Sequence, residues 1–256
     1  MIPAITKHVA GNTGTPGASV TERVMRVLTC FDVANPDLTL TEIATRARLP
    51  LSTARRVVTE LEAGGFVEKM LDKHFRVGAR LWEIGSLAPR QHGLRDAALP
   101  SMHDLFEVTQ ESVQLAVLDG HDALCIEKIS GAAASTAPAV GERLPLHASA
   151  VGKCVLAFSS ADVFRAVVEQ GLDACTKHTM IDGARLLASL RESRRTGLAY
   201  SREELTVGAV SAAAPIIAPG GLLRGALGIV VDARTDLARI VPALRTAALG
   251  IGRVCG

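Results

Sequence analysis

Arginine, serine and threonine are concentrated on one side of a short stretch of the chain, residues 51–65. The apolar residues of this stretch recur with the i, i+3, i+4, i+7 spacing of a helix that buries one stripe. Its other side carries two guanidinium groups and several hydroxyls, which can bond base edges and phosphates in the DNA major groove. The predicted buried residues are Ala54, Val57, Val58 and Leu61, and the predicted outward ones are Ser52, Thr53, Arg55, Arg56 and Thr59.

A second helix is predicted just before this stretch, over residues 40–47. Thr39 and Glu42 have the spacing of a capping box, in which each side chain bonds the backbone N–H of the other residue. Leu38 and Ile43 can form the hydrophobic staple that accompanies such a cap. The sequence therefore predicts a well-defined start for this helix.

The break between the two helices is short. It covers the four residues 48–51, and Pro50 disfavours a helical conformation at Leu49. Two short helices joined by so tight a turn form a helix-turn-helix, in which the second helix reads DNA.

A hairpin is predicted after Gly64-Gly65, which is a helix stop signal. Residues 66–69 and 74–77 are predicted to be two short strands around the turn 70–73, and this hairpin would form a wing. The alternative for the run 20–78 is an interaction module of the same shape that binds no nucleic acid.

The distribution of charge favours DNA as the partner of the first part of the chain. The net charge of the whole chain is only +2, which gives little reason to expect indiscriminate binding to nucleic acid. Residues 1–95 contain 13 Lys and Arg against 9 Asp and Glu, whereas the remainder contains 15 against 17. The excess of cations therefore accompanies the predicted reader helix, as attraction to phosphates requires.

The cysteines indicate neither a metal site nor a disulfide framework. They include no C-x-x-C pair and no Cys/His cluster at zinc spacing, and no cofactor is predicted. There is no signal peptide, and the apolar run 222–231 contains Arg224 and is too short to span a membrane. We expect a cytoplasmic protein without a membrane partner, with reduced and mostly buried thiols at Cys30, Cys125, Cys154, Cys175 and Cys255.

The chain before the reader helix is predicted to contain a tail and a bracing helix. Residues 1–18 are small and polar, which predicts a disordered tail. Thr21 is predicted to cap the first helix, and Arg23 or Arg26 either contacts phosphate or is an ordinary solvated arginine. We assign residues 19–78 to a winged helix-turn-helix domain.

A linker helix is predicted over residues 79–95, within a helical segment 79–109 that is broken near residues 89–93. The linker is more apolar than a simple connection needs. Trp82, the only tryptophan, therefore either contacts a second subunit or occupies a core position within its own chain.

Residues 96–256 are predicted to form one α+β domain on an antiparallel sheet. Strands that alternate apolar and polar residues are joined as hairpins, and helices lie between them in the sequence. The predicted strands run from 112 to a turn at 119–120, then over 123–129, 198–201, 207–217 and 223–231. The predicted helices follow residue 150 and cover 161–170, 182–197 and 235–254, while 130–145 is predicted to be a loop.

From about Ser19 to its end, the chain resembles the IclR family of bacterial transcriptional regulators. Each shared motif is modest alone, but their order and spacing are specific. The motifs are Leu38-Thr-Leu-Thr-Glu-Ile-Ala44, Leu49-Pro-Leu-Ser-Thr53, Gly64-Gly-Phe-Val-Glu68, Leu144-Pro-Leu-His-Ala-Ser-Ala-Val-Gly-Lys153, Glu203-Glu204 and Ala212-Ala-Ala-Pro215.

The resemblance implies a winged helix-turn-helix domain, a linker helix and a GAF-like effector domain that binds a small, usually acidic, metabolite. It also implies a homodimer or a dimer of dimers bound to an inverted-repeat operator in double-stranded DNA. The DNA contacts implied are Ser52, Thr53, Arg55, Arg56 and Thr59, with Lys73, His74 and Arg76 of the wing near the backbone.

The residues that form the effector pocket in the family are only partly present in this chain. An Asp, a Cys and two Ser that are common on the later strands are here two serines, a glycine and a valine. This predicts a wider, more apolar pocket and an effector with an aromatic or longer aliphatic body, whose carboxylate binds at a helix start. The positions concerned are Leu144, Leu146, Ala150 and Val151 at the loop and helix start, and Ser201, Ser211, Gly228 and Val230 on the later strands.

The sequence leaves two other classes of function open. Cys154, with His147 seven residues before it, suggests a thiol nucleophile. However, Cys154 lies in an apolar helical run, where a thiol acts as a small hydrophobe, and no third orienting residue is indicated. We therefore expect no enzyme. A protein-interaction adaptor with a degenerate DNA domain is the other alternative, and a binding assay on the chain's own upstream DNA discriminates it.

Overall fold

The computed structural model divides the chain into two compact units, Met1–Gly85 and Ser86–Gly256. The tail predicted over residues 1–18 lies outside the described part of the chain. The structure describes residues 19–32, 34–85, 87, 89–131 and 137–255.

The first unit is a winged helix-turn-helix, as the sequence predicts. Its sheet is antiparallel, with the strand order β1-β3-β2. The elements are α1 (Val20–Leu28), β1 (Asp37–Thr39), α2 (Leu40–Ala47), α3 (Leu51–Ala63), β2 (Val67–Lys69), β3 (His74–Val77) and α4 (Ala79–Gly85).

The capping box of α2 is confirmed. The backbone N–H of Thr39 donates to Glu42 Oε2 over 2.8 Å, and Thr39 Oγ1 accepts from the Glu42 N–H over 3.3 Å. Leu38 and Ile43 on either side of the cap are both buried in the core of this unit. This local arrangement fixes where α2 begins and therefore where the turn to α3 falls.

The buried stripe of α3 is also confirmed. Ala54, Val57, Val58 and Leu61 are its buried residues, and the last three belong to the same core cluster as Val27 of α1. Burying a valine or leucine side chain stabilises a fold by about 1.5–3 kcal/mol. Because this stripe fixes the rotation of α3, it also determines which residues face outward.

Three details of the first unit differ from prediction. Ser19, rather than Thr21, caps α1, because Ser19 Oγ accepts from the Glu22 N–H over 3.1 Å. Leu51 is the first residue of α3, so the break between the two helices is shorter than predicted. Arg48, which caps the end of α2, has a left-handed φ of 54°. β1 was not predicted, since a three-residue strand that pairs with the distant β3 has no local signal.

Trp82 is not in the core of its own chain. Its exposed fraction is 76%, and Ile84 and Leu87 are also exposed, at 49% and 77%. The alternative that Trp82 occupies a core position within its own chain is therefore wrong.

The predicted linker is two helices rather than one. α4 ends at Gly85, and α5 (Pro89–Thr109) begins at the proline, so the break precedes the predicted residues 89–93. Proline is well suited to the first position of a helix, because its missing N–H would have no intrahelical partner there, and it disfavours helix in the residue before it.

The second unit is an α+β domain on an antiparallel sheet, as predicted, with the strand order β6-β5-β4-β9-β8-β7. Beyond α5, its elements are β4 (Ser112–Asp119), β5 (Asp122–Ile129), β6 (Arg143–Pro145), α6 (Ala150–Phe158), α7 (Ala161–Gln170), α8 (Gly183–Thr196), β7 (Ala199–Arg202), β8 (Ala209–Ile217), β9 (Leu223–Asp232) and α9 (Leu237–Val254).

The sheet of this unit separates two apolar cores. Val113 and Leu115 of β4 belong to the core that includes α5 and α9, while Ala116 belongs to the core that includes α6 and α8. β6 lies within the predicted loop 130–145, because a three-residue strand ending in proline shows no alternation. It pairs with β5 at Leu144 and Ala123, which places the chain before α6 against the sheet.

The cap of α2 can be tested by replacing Thr39 with alanine. We expect Thr39→Ala to lower the free energy of local opening of α2 by about 1 kcal/mol, because the N–H of Glu42 loses its acceptor. Hydrogen exchange of the α2 and α3 amides measures this quantity in the full chain. Thr45→Ala is the matched control, since Thr45 bonds only the Thr41 carbonyl one turn earlier; an equal effect of both changes would contradict the role of the cap.

Candidate functional site

The outer face of α3 is available to a partner. Ser52, Arg55, Arg56 and Thr59 are exposed, and Thr53 is half-buried. Within the described part of the chain, neither Arg55 nor Arg56 forms an ion pair or a hydrogen bond through its side chain. Both guanidinium groups therefore keep their full set of donors for a molecule outside the chain.

Arg76 and His74 of the wing are less available to a partner, because a carboxylate lies beside each of them. Arg76 Nη2 lies 2.9 Å from Glu68 Oε2, and His74 Nδ1 lies 3.1 Å from Asp72 Oδ2. The hydrogen bond from Arg76 lowers the pKa of Glu68, and the backbone N–H of His74 lowers that of Asp72. Lys73 is exposed at the turn with a left-handed φ of 69° and has no such partner in the described residues.

Two exposed cations near these elements were missed from the sequence. Arg48 lies in the turn before α3, and Lys69 is the last residue of β2. Neither is in an ion pair with a described residue. Arg48 was recognisable as a charged residue in a tight turn, but its left-handed conformation, and so its direction, could not be derived from the sequence.

A small, partly open cavity lies on the α6 side of the sheet of the second unit. Ser201, Ser211 and Val230 are paired across β7, β8 and β9 and form its floor. Leu144 of β6 lines it from the other side. The structure therefore brings these four of the eight predicted effector residues to one cavity.

The other four predicted effector residues do not line the cavity. Leu146, Ala150 and Val151 are buried in the core beneath α6. Gly228 lies behind the wall, where an added Cβ would be 2.5 Å from Val151 Cγ1 and 3.1 Å from Gln114 Cγ. These four residues support the cavity from behind, because they lie in the packing between α6 and the sheet.

The cavity has a mixed lining, in which five of the ten residues are polar. The expectation that it is wider and more apolar than the pocket of the family stays a prediction. Gln114 had a usable signal, because it alternates with the core residues Val113 and Leu115 and must point to the opposite face. The lining residues missed from the sequence are Gln114, Pro138, Ser149, Leu205, Thr206 and Ala209.

The start of α6 offers backbone donors beside this cavity. Ser149, a lining residue, caps the helix: its Oγ accepts from the Gly152 N–H and donates to the Pro145 carbonyl, both over 3.0 Å. The N–H groups of Ala150 and Val151 have no acceptor within the helix. A helix start of this kind binds carboxylates and other anions.

A buried ion pair joins α6 to the segment between β7 and β8. Lys153 Nζ lies 2.7 and 2.8 Å from the two carboxylate oxygens of Glu204, and both side chains are buried. Burial lowers the pKa of Lys153, and the charge of Glu204 opposes that shift. Because Leu205 and Thr206 follow directly and line the cavity, the ion pair fixes one of its walls.

The thiol suggested as a nucleophile is poorly placed for catalysis. Cys154 is fully buried, and burial raises the pKa of its thiol. The ring of His147 is engaged with the Asp173 carbonyl, 2.9 Å from Nε2. Among the described residues, His, Cys, Asp and Glu nowhere gather closely enough to hold a metal ion. None of the described helices is both long and apolar enough to cross a membrane.

Comparison with known families and proteins covers both units. The pattern described as the IclR helix-turn-helix domain matches residues 10–70, and that of the bacterial transcriptional regulator IclR C-terminal region matches residues 88–253. The transcriptional repressor IclR of Escherichia coli K12 is 32% identical over 192 residues, which are 73% of this chain and 70% of the relative. The regulator BhcR of Paracoccus denitrificans is 34% identical over 227 residues, or 86% and 78%.

Solved structures show the same similarity. An IclR homolog from Microbacterium hydrocarbonoxydans, complexed with 4-hydroxybenzoate, has a TM-score of 0.86 and 34% identity, covering 93% of this chain and 99% of that one. The IclR protein of Thermotoga maritima has a TM-score of 0.74 and 26% identity, with coverages of 92% and 98%.

The buried ion pair can be tested by calorimetry of the full chain. We expect Lys153→Met to destabilise the second unit by about 3–5 kcal/mol, because the Glu204 carboxylate is left buried without a partner. This corresponds to a fall of about 6–20 °C in the melting temperature of that unit.

Arg165→Met is the matched control for this change. It breaks an ion pair with Asp162 in which both side chains are exposed, and we expect it to cost less than about 1 kcal/mol. Equal shifts in the two variants would show that the Lys153–Glu204 pair has no special structural role.

Proposed function

The chain belongs to the IclR family of bacterial transcriptional regulators, and on that basis we propose how it contacts its operator and which class of effector it senses. It is a DNA-binding regulator with a C-terminal effector domain. The observation that carries the DNA proposal is the pair of exposed, unpartnered arginines, Arg55 and Arg56, on the second helix of the helix-turn-helix.

In the proposed complex, α3 lies in the major groove. Arg56 bonds a guanine edge, and Arg55 with the neighbouring hydroxyl groups bonds base edges or phosphates. Lys73 at the tip of the wing contacts the backbone directly. His74 and Arg76 contribute less, since Asp72 and Glu68 already bind them.

The proposed effector is a carboxylate with an aromatic or longer aliphatic body. Its carboxylate binds at the start of α6, near Ser149, and its body occupies the cavity beside Leu144 and Val230. No charged side chain belongs to the described lining of this cavity, so backbone N–H groups and neutral donors would hold the anion. The similar protein complexed with 4-hydroxybenzoate, an aromatic carboxylate, supports this class.

We further propose a homodimer or a dimer of dimers on an inverted-repeat operator. Trp82, Ile84 and Leu87 are large apolar residues exposed on and just after α4, and a second subunit would bury them. Two symmetry-related reader helices require two half-sites related by the same symmetry. Because its partner is DNA, the proposed place of action is the cytoplasm.

Regulation then follows from linkage between the two sites. An effector that fits one arrangement of the subunits better than another changes operator affinity only by its differential affinity, typically about 1–3 kcal/mol.

The alternative functions have less support. An enzyme using Cys154 would need an ionisable, accessible thiol, and this thiol is fully buried with a raised pKa. An adaptor with a degenerate DNA domain would have no need for exposed, unpaired arginines on the reader helix.

The operator proposal is tested first by a mobility shift with the DNA upstream of the chain's own gene, where the adaptor predicts no specific binding. We then expect Arg56→Ala to weaken binding by about 1–3 kcal/mol and to relax specificity at one base pair, because a bidentate guanine contact is lost. Arg165→Ala is the control, since it removes the same charge from the second unit.

Two outcomes would change this assignment. An equal loss of affinity on every DNA sequence would make Arg56 a phosphate contact. Unchanged binding would show that the outer face of α3 does not read DNA.

The effector proposal is tested by thermal-shift screening against a panel of catabolic carboxylates. An aromatic or longer aliphatic carboxylate should raise the melting temperature, because a ligand at 100 times its Kd stabilises the native state by about 2.7 kcal/mol. The Arg56→Ala variant should respond as the unaltered chain does. Tight, specific binding of glyoxylate or pyruvate alone would contradict the proposed class.

A further inference from the structure

One polar side chain on the cavity wall has an unsatisfied atom. Gln114 of β4 is only 3% exposed and lines the cavity, yet its Oε1 has no hydrogen-bond partner among the residues that the structure describes. Buried side-chain acceptors without a partner are uncommon in folded proteins, and each requires an explanation. Because the residue lines the cavity, we infer that a molecule bound there supplies the missing donor.

The strand geometry of β4 and its pairing with β9 fix the direction of the Gln114 side chain. Its neighbours Val113 and Leu115 are buried in the core on the other side of the sheet, so strand alternation turns the amide toward the cavity. Gln114 is paired with Gly228 of β9, where an added Cβ would lie 3.1 Å from both Cγ and Nε2 of the glutamine. The absence of a side chain at Gly228 therefore makes room for the amide.

An ionised carboxylate does not satisfy Oε1. A carboxylate oxygen and Oε1 are both acceptors and repel each other, so a carboxylate would bind only the N–H groups of the amide. No described hydroxyl lies within hydrogen-bond reach of Oε1. The hydroxyl of Ser201, for example, donates instead to the Ala148 carbonyl over 2.7 Å. A ligand hydroxyl matches the amide well, because it both donates and accepts, as the amide does.

We propose that Gln114 is a specificity-determining residue that selects carboxylate effectors carrying a hydroxyl group. This inference rests on the proposed function, in which the cavity is the effector site and the start of α6 holds the carboxylate. Gln114 then distinguishes a hydroxylated acid from its unsubstituted analogue, since a site built around a hydrogen bond rejects a ligand that cannot form it.

The test is calorimetric titration of the full chain with matched pairs of acids. The probes are benzoate and its three monohydroxy derivatives, and hexanoate with 6-hydroxyhexanoate. We expect at least one hydroxylated acid to bind about tenfold or more tightly than its unsubstituted partner. In Gln114→Leu this preference should disappear, because the hydroxylated acid loses more affinity than its unsubstituted partner.

Two further variants keep the result interpretable. Gln114→Met removes the amide with a flexible chain of similar length, and we expect both substitutions to fold, because an apolar side chain leaves no buried polar atom unpaired. Gln170→Leu is the matched control, since Gln170 is exposed at the end of α7 and should keep the native preference.

Failure of this inference differs from failure of the proposed function. A preference that persists in Gln114→Leu and Gln114→Met overturns the role of Gln114 alone. An equal loss of affinity for both members of a pair would make Gln114 a carboxylate contact, which also overturns it. If the unaltered chain binds none of the six acids, the proposed effector class fails and the inference fails with it.

Discussion

The ion pair between Lys153 and Glu204 determines much of the geometry of the second unit. Removing two charges from water is costly, so the pair persists only because the ammonium group faces both carboxylate oxygens. The hydroxyl of Thr176 donates to the carbonyl of Glu203 over 2.7 Å, and that of Thr179 donates to the carbonyl of Glu204 over 2.6 Å. The start of α6 and the segment after β7 are thus held together, and the cavity lies where both meet the sheet.

The first unit was predictable because its determinants are local in the sequence. The capping pair Thr39 and Glu42 and the buried stripe of α3 follow from spacings of three and four residues. The features that were missed depend on distant or conformational partners. β1 forms only because Leu38 pairs with Phe75, and Arg48 adopts a left-handed conformation that its residue type does not favour.

The cavity was only partly predictable for the same reason. Ser201, Ser211 and Val230 meet because β7, β8 and β9 pair in one register. The resemblance to the family indicated these positions, but it did not give the register that brings them together. The same motifs could not separate lining residues from supporting ones such as Val151. Gln114 lies outside those motifs, and only the pairing of β4 with β9 brings it to the wall.

The carboxylates of the wing have a consequence for how the regulator searches the chromosome. Glu68 already neutralises Arg76 in part, and the exposed carboxylate of Asp72 adds negative charge at the tip, so fewer phosphate-bound counterions would be released when the wing docks. Sequence-independent affinity depends mainly on such release, whereas in the proposed complex Arg56 of α3 acts at a base edge. Sliding along unrelated DNA should therefore be briefer than it would be for a wing without these carboxylates.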